Sequence, residues 1–533
     1  MHPTFKSLEK EQLKAIEGRI TGIIPSWLQG SFYRNGPGKY EVGDTKYNHL
    51  FDGLALLHKY SIRDGNVTYQ NKFLKSDTYK RNMEANRIVV AGLGTVAHPD
   101  PCKTLFQRFL TYFTFNDDVV NDNCNVNIYP VGDQLFACTE THWLRRIDPE
   151  TLETPGRVNI SQIVATNNAT AHPHYDRDGS VYNIGTCFRG RPKLTVVRWK
   201  PDPQGLYTVK VLLWKTHQIQ NAELVTTIEN PYYVSYTYCH SFGLTENYIV
   251  VIEQPLFINI LSILTSKIRG VPFSDCFHWD KNCKSVFHII NKKTGETINP
   301  GYNYVGDPLL VFHHINAYEE NGMGHVVLDI CSGEDGSIFR TITRDNIDKQ
   351  RFGGTSEVRP RRFVLPLNIS QDVVGGNLVT LSDTTSTATL LSSNEIYCKE
   401  ELLGDLCSEF PTVNYDQMNG VKYRYMYSVT FSDTGEFGHG LVKTDVQTKT
   451  TQEWTEEGCC FTEPWFVPSP NSDGEDDGVI LSAVHNAQMK TYLLVLDAKT
   501  FTELGRAEFD VAPPTGFHGR FLDSDMIRGL EKE

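Results

Sequence analysis

Four histidines stand in short contexts suited to chelation: His172 in Ala169-Thr-Ala-His-Pro-His174, His240 in Tyr238-Cys-His-Ser-Phe-Gly243, His313 in Val311-Phe-His-His-Ile-Asn316 and His518 in Gly516-Phe-His-Gly519. Imidazole nitrogens bind iron, zinc, copper or nickel, and four of them on an octahedral ion leave two positions open for O2 or a substrate. Four histidines closing a tetrahedral zinc site would serve structure instead. The residue types alone leave both readings open. Their spacing is regular. From 172 to 240 is 68 positions, from 240 to 313 is 73 and from 313 to 518 is 205, close to one, one and three steps of a single length. A zinc finger gathers its ligands within a few residues. Ligands one long step apart imply repeated units that each donate one side chain to a shared axis, as in a propeller. The chain has 17 histidines, so any single match means little and the ordered set carries the argument. His174 and His314, beside two of the four, read as neighbours rather than ligands.

Ligating histidines usually donate their second ring N–H to a carboxylate or carbonyl. Three glutamates lie in otherwise uncharged, strand-like runs: Glu140 in Ala137-Cys-Thr-Glu-Thr141, Glu409 in Ser408-Glu-Phe-Pro411 and Glu463 in Phe461-Thr-Glu-Pro-Trp465. A buried carboxylate is costly without such a partner. Singly each reads as a surface residue; three against four histidines read as their supporting shell.

The elements that must position these residues are strands. Short apolar runs bounded by turn residues recur at Tyr248–Ile252, Val286–Ile290, Val326–Ile330, Val479–Val484 and Tyr492–Leu496, and their length and β-branched content favour strands over helices. Four turns share one pattern, Asp or Asn followed three positions later by Thr: Asp148 to Thr151, Asn291 to Thr294, Asp445 to Thr448 and Asp497 to Thr500. An Asp or Asn side chain opens such a turn by accepting from backbone N–H groups ahead of it, so each reads as a hairpin tip. No Ser- or Gly-rich linker divides the chain, which reads as one domain over residues 1–533. Residues 1–20 form an amino-terminal extension with a short helix expected over Ser7 to Ile20. Pro468-Ser-Pro470 and Glu475-Asp-Asp-Gly478 read as a long exposed acidic loop.

Of the 533 residues 40% are hydrophobic and 22% charged, and Tyr (25) and Phe (28) are abundant. That stock can fill a large core or line an apolar channel. A net charge of −13 argues against nucleic acid as a partner, which needs clustered Lys and Arg. The first residues carry Glu9 and Glu11 and no apolar signal core, and no apolar run reaches the roughly 18 residues a spanning helix needs. Twelve Cys lack C-x-x-C spacing. A cytoplasmic protein with free thiols is the expectation.

The chain resembles the carotenoid cleavage oxygenases, in their animal branch of two carotene oxygenases and a retinoid isomerohydrolase. The segments that carry the resemblance are Arg34-Asn-Gly-Pro-Gly38, His49-Leu-Phe-Asp-Gly53, Pro99-Asp-Pro-Cys-Lys103, Cys138-Thr-Glu-Thr141, Ala171-His-Pro-His174, His240-Ser-Phe-Gly243, Phe312-His-His-Ile-Asn316, Glu475-Asp-Asp-Gly478 and Phe517-His-Gly519. They span almost the whole chain, and all seven His and Glu contexts match in order. The resemblance implies an all-β fold, a seven-bladed β-propeller with an axial metal and a small helical cap. It implies Fe(II) on His172, His240, His313 and His518, with Glu140, Glu409 and Glu463 behind them. The implied reaction is cleavage of a conjugated C=C bond of a carotenoid or apocarotenoid with O2, giving two carbonyl products, with no catalytic residue beyond the metal centre.

Such a rod-like substrate needs an aromatic tunnel and a route from lipid. Phe410 and Phe517, beside a glutamate and a histidine of the set, are candidate tunnel residues, with Phe273 and Thr139. Leu256, Phe257, Ile260, Leu261 and Leu264, followed by Lys267 and Arg269, fit a patch for peripheral contact with a membrane. Cys102, near Phe106 and Phe109, offers an acylation site, though a plain thiol is the simpler reading. Thr265-Ser-Lys-Ile-Arg-Gly270, Phe273-Ser-Asp275 and Leu504-Gly-Arg-Ala-Glu508 look closer to the eccentric, 9′,10′-cleaving enzyme, which is the leading expectation. Lys10-Glu-Gln-Leu13 and Glu84-Ala-Asn-Arg-Ile-Val-Val90 look closer to central 15,15′ cleavage of β-carotene to retinal, the alternative. Non-oxidative retinoid isomerohydrolysis is disfavoured by Phe273, where that enzyme has Tyr; a carotenoid-binding propeller is disfavoured by the intact His and Glu set.

Overall fold

The computed structural model describes residues 5–104, 107, 121–201, 218–320, 322–349, 358–369, 374–392, 394–432, 437–488 and 490–530. Among them, seven sheets have four or more strands and two are smaller. The first sheet runs outward from Asn127–Val131 through Gln134–Cys138 and Trp143–Ile147 to Gly156–Asn159, and the second from His174–Tyr175 through Val181–Cys187 and Lys193–Trp199 to Ala222–Glu229. The third begins at Gly243–Leu244 and Tyr248–Glu253, the fourth at Leu310–Glu320 and His325–Gly333, and the fifth at Ser408–Thr412 and Tyr425–Phe431. The sixth is built on Gly478–His485, Thr491–Asp497 and Thr502–Glu508, and the seventh on Gly30–Lys39, Leu54–Arg63 and Asn66–Phe73.

The two ends of the chain meet in the last two sheets. Gly30–Lys39 pairs antiparallel with the carboxyl-terminal strand His518–Asp523, with Asn35 opposite His518 and Arg34 opposite Gly519. Arg19–Gly22 adds to the sixth sheet, Arg19 opposite Glu508. Ile16–Glu17 adds to the seventh, Ile16 opposite Tyr69. The helix expected over Ser7 to Ile20 is therefore absent. These backbone groups bond to the free edges of two sheets, and Ile16 and Ile20 pack on one core cluster. Gly18, whose added Cβ would meet the Phe509 ring at 2.9 Å, lets the segment lie flat against it.

Continuous apolar strands mark burial on both faces. In Gly478–His485, Val479, Leu481 and Ala483 enter a cluster with Phe32, Tyr60 and Leu493, while Ile480 and Val484 enter another with Tyr427, Leu494 and Phe501. Each such side chain contributes up to about 2 kcal/mol by leaving water. The Asx hairpin tips form: Asp148 Oδ1 accepts from the backbone N–H of Glu150 and Thr151, and Asn291, Asp445 and Asp497 accept in the same way. The acidic loop is tied down rather than free. Glu475 accepts from the N–H of Arg424 and Tyr425, and Asp476 pairs with buried Lys443 at 2.6 Å.

Helices are few and short. Asp77–Glu84, Ile260–Arg269, Ile338–Thr341 and Arg344–Asp348 each contribute residues to the walls of the central cavity. Ile260–Arg269 starts on Asn259, whose side chain accepts from Ser262 N–H, and ends at Gly270 in the left-handed conformation. Among the described residues no helix is long and apolar enough to cross a membrane.

Candidate metal centre

Each of the seven sheets brings one residue of the His and Glu set to a common centre. Glu140 follows Gln134–Cys138 in the first sheet, His172 precedes His174–Tyr175 in the second, and His240 precedes Gly243–Leu244 in the third. His313 lies within Leu310–Glu320, Glu409 within Ser408–Thr412, Glu463 between Cys460–Phe461 and Trp465–Pro468, and His518 opens the last strand. Irregular pairing aims two of them. The register shifts on both sides of His314 turn His313 inward and send His314 to Ser241 Oγ at 2.7 Å. A second shift follows Glu409, where Phe410 sits at φ 55°. That left-handed backbone is strained for a large side chain. It lays the ring 5.1 Å from that of His313 and 4.8 Å from that of His518.

One nitrogen of each of the four histidines lies within 4.8 Å of the others. The ring of His172 is 4.5 Å from those of His240 and His518 and 4.8 Å from that of His313. Nε2 of His240 and of His313 are 3.3 Å apart. Three of the rings are held from behind through Nδ1: His240 by Glu140 at 2.5 Å, His313 by Glu409 at 2.5 Å and His518 by Glu463 at 2.8 Å. An Nδ1–H donated to a carboxylate leaves the Nε2 lone pair bare and directed at the centre. Among the described residues the buried Nε2 of His172 has no hydrogen-bond partner. Bare buried nitrogens turned on one another are costly unless a cation lies between them, and only an electron-pair acceptor suits four facing lone pairs. The residues fit a metal ion.

The electrostatics agree. Burial, and then the other three histidines, hold His172 well below the usual imidazole range. Burial brings His518 down to about 4 despite Glu463. Burial also lowers His313, but the Glu409 carboxylate outweighs it and the net shift is upward. Glu463 is held below its usual value: burial opposes this, and His518 and Arg34 override it.

Two residues of the centre lie outside the His and Glu set. Tyr238 Oη donates to Glu140 at 2.9 Å and lies 2.9 Å from His240 Nδ1; the signal was the Tyr-x-His spacing, which puts both side chains on one face of an extended segment. Arg34, buried within the seventh sheet, donates to the carbonyls of Glu463 (3.0 Å) and Phe517 (2.7 Å), with its Nη1 3.6 Å from Glu463 Oε2. Its segment, Arg34-Asn-Gly-Pro-Gly38, carries the resemblance, but only its charge inside a strand hinted at this role.

The centre opens on a cavity of about 1580 Å³ lined by His240, His313 and His518 but not His172. An aromatic chain leads along it: His240 to Phe312 at 5.2 Å, Phe312 to Phe339 at 5.5 Å, Phe339 to Phe277 at 4.6 Å and Phe277 to Phe273 at 5.4 Å. Phe517 lies 5.3 Å from Phe51. Phe273, Phe410, Phe517 and Thr139 all line this space. Near Phe273 it is bordered by Ser266, Lys267 and Val271 of the helix Ile260–Arg269 and its exit, together with Val96 and Lys103.

That helix carries an exposed apolar face, Leu261 (56% exposed), Leu264 (46%) and Ile268 (64%), at the spacing of one helical side. The expected patch is corrected in part. Leu256 is buried at 1% in the strand Leu256–Asn259, where it joins Tyr238 and Phe277 in a core cluster. Phe257 is half-buried against Tyr232, at 5.1 Å, and Ile260 is half-buried on the same cluster. The apolar run divides because a strand hides alternate residues while a helix shows one side. Cys102 is exposed; Phe106 and Phe109 lie outside the described residues.

A mainly β body that turns four imidazoles on one another, three of them carboxylate-backed, offers a site suited to a metal ion. Residues 5–523 match the family model described as retinal pigment epithelial membrane protein. A mouse protein named β,β-carotene 15,15′-dioxygenase is 42% identical over 98% of this chain and 92% of its own. A human protein named mitochondrial carotenoid-cleaving dioxygenase is 42% identical over 98% of this chain and 90% of its own. Among solved structures, a mutant of the Synechocystis apocarotenoid oxygenase superposes with a TM-score of 0.76 over 98% of both chains at 22% identity, and its cobalt-substituted form with 0.74 at 23%; at that identity the likeness concerns the fold. The chain belongs to this family of carotenoid oxygenases, and it is an enzyme of the dioxygenase class.

Proposed function

We propose that this dioxygenase uses Fe(II), held by His172, His240, His313 and His518, to cleave a conjugated C=C bond of a carotenoid with O2. The carrying observation is the meeting of four imidazole nitrogens at the inner end of an aromatic cavity. Imidazole donors suit iron, and four of them leave coordination positions open. When bound, ferrous iron would supply the one-electron chemistry that lets O2 react with a closed-shell polyene. Adding O2 across a C=C bond to give two aldehydes moves no proton, so the lack of an assigned base or nucleophile is no obstacle.

The protein's own residues bind and orient. Phe51, Phe273, Phe277, Phe312 and Phe339 take the apolar rod, Phe410 and Phe517 fix its position beside the histidines, and Thr139 borders Glu140. Glu140, Glu409 and Glu463 hold the ring orientations, and removing such support typically costs 10–100-fold in metal affinity. The seven larger sheets are read as blades of a single ring over residues 1–533, with the histidines on its axis and the short helices over the cavity.

Central 15,15′ cleavage of β-carotene to retinal is the favoured bond. Its support is the naming of 41–42% identical relatives for that bond; the mitochondrial carotenoid-cleaving dioxygenases, 41–43% identical, carry no bond in their names. Leu261, Leu264 and Ile268, flanked by Lys267 and Arg269, would dip into a membrane surface beside the cavity edge and draw substrate from lipid, with the protein on the cytoplasmic side and Cys102 open to acylation. Incubating iron-loaded protein with β-carotene and O2, followed by chromatography, tests the reading. Retinal supports it, a 10′-apocarotenal transfers it to eccentric cleavage, and unchanged, tightly held pigment contradicts an oxygenase.

A further inference from the structure

The three carboxylate–imidazole pairs are not equivalent. Glu140 is backed by the neutral Tyr238 hydroxyl and Glu409 by the backbone N–H of Phe410. Among the described residues neither carboxylate pairs with a cation other than its histidine. Glu463 faces the guanidinium of Arg34, 3.6 Å away and 2% exposed in its side chain. Arg34 also binds the backbone on both sides of the pair. It donates to the Glu463 carbonyl, to the Phe517 carbonyl next to His518 and, at 3.3 Å, to the Gly516 carbonyl. Glu463 Oε1 is held by His518 Nδ1, while the oxygen that faces Arg34, Oε2, also accepts from Gly519 N–H at 3.0 Å. Only glycine fits there, since an added Cβ would sit 2.1 Å from the Tyr33 carbonyl oxygen. His58 and His485, which face the guanidinium, are pushed down to about 3 and about 4 chiefly by burial and stay neutral.

We propose that Arg34 is a positioning residue for the fourth histidine and the charge-balancing cation of the metal centre. With four neutral imidazoles, a divalent ion, three carboxylates and one guanidinium sum to zero. Charge left over in a buried site is costly, so the centre is matched to the divalent state. Without Arg34 the loaded centre carries one excess negative charge, which favours a trivalent ion. Without the Glu463 charge it carries one excess positive charge, which favours the divalent ion. The inference rests on the metal reading above.

The test is the Fe(III)/Fe(II) midpoint potential of iron-loaded full-length protein, read alongside Co(II) affinity from its visible absorption. Arg34→Gln should lower the potential and weaken Co(II) binding roughly 10-fold or more. Arg34→Lys, which keeps the charge and loses the fork geometry, should stay near the wild-type potential while binding more weakly. Glu463→Gln should raise the potential, and Arg34→Gln/Glu463→Gln should return towards wild type. Removing both members leaves no lone buried charge, so the double variant remains measurable even where Arg34→Gln does not fold. A double variant with the potential of Glu463→Gln overturns the proposal, as does Arg34→Gln at the wild-type value. A wild-type chain that takes up no iron overturns the metal reading, and this inference with it.

Discussion

At the scale of single residues, the proposed chemistry rests on matched donors. His313 is buried, held by Glu409 and faced by His240 Nε2. His313→Ala removes one of four donors and leaves the Glu409 carboxylate buried without its partner. Iron content by elemental analysis should fall to background and cleavage with it; full turnover would contradict the assignment. Glu463→Gln keeps the shape and loses the charge, and iron affinity should weaken roughly 10–100-fold in a competition titration; unchanged affinity would make Glu463 dispensable. The histidines and glutamates were legible in the sequence because their contexts are uncharged and widely spaced. Tyr238 and Arg34 were not, because their roles depend on which neighbouring sheet they meet.

At the scale of elements, the loop after residue 91 is built on one buried carboxylate. Asp52 accepts from Leu93 N–H at 2.5 Å, from Gly94 N–H and from the Thr95 hydroxyl. Burial nevertheless pushes its pKa up to about 6. A folded value above the unfolded one means that Asp52 contributes most below pH ~4, and that this contribution is lost as pH rises through about 6. Two units correspond to about 3 kcal/mol. Urea unfolding from pH 4 to 7 should therefore show a shallower fall for Asp52→Asn than for wild type, and equal slopes would contradict the burial cost. Hairpin tips could be read from the sequence because an Asx turn is a local event. The amino-terminal segment could not, because its strands exist only through the edges of two distant sheets. The run from Leu256 to Leu264 misled for a related reason: composition gave its apolarity, but only the change from strand to helix at Asn259 decides which side chains face out.

At the scale of the molecule, the ends of the chain close the last two sheets, and the closing strand carries His518 opposite Asn35. Convergence of the four histidines is thereby coupled to completion of the fold. The β class and the convergence of distant histidines were legible from spacing; the division into one site residue per sheet needed the topology. The exposed helix face offers a test at this scale. Replacing Leu261, Leu264 and Ile268 by Ser should abolish co-flotation with phospholipid vesicles while soluble iron content stays constant, and undiminished flotation would move the membrane contact elsewhere. The most direct test of the central claim is iron K-edge X-ray absorption of the loaded protein. The spectrum should carry the multiple-scattering pattern of four imidazoles around one ferrous ion, reduced to three in His172→Ala; fewer than four imidazoles in the wild type, or sulfur in the coordination sphere, would rule out a four-histidine iron site.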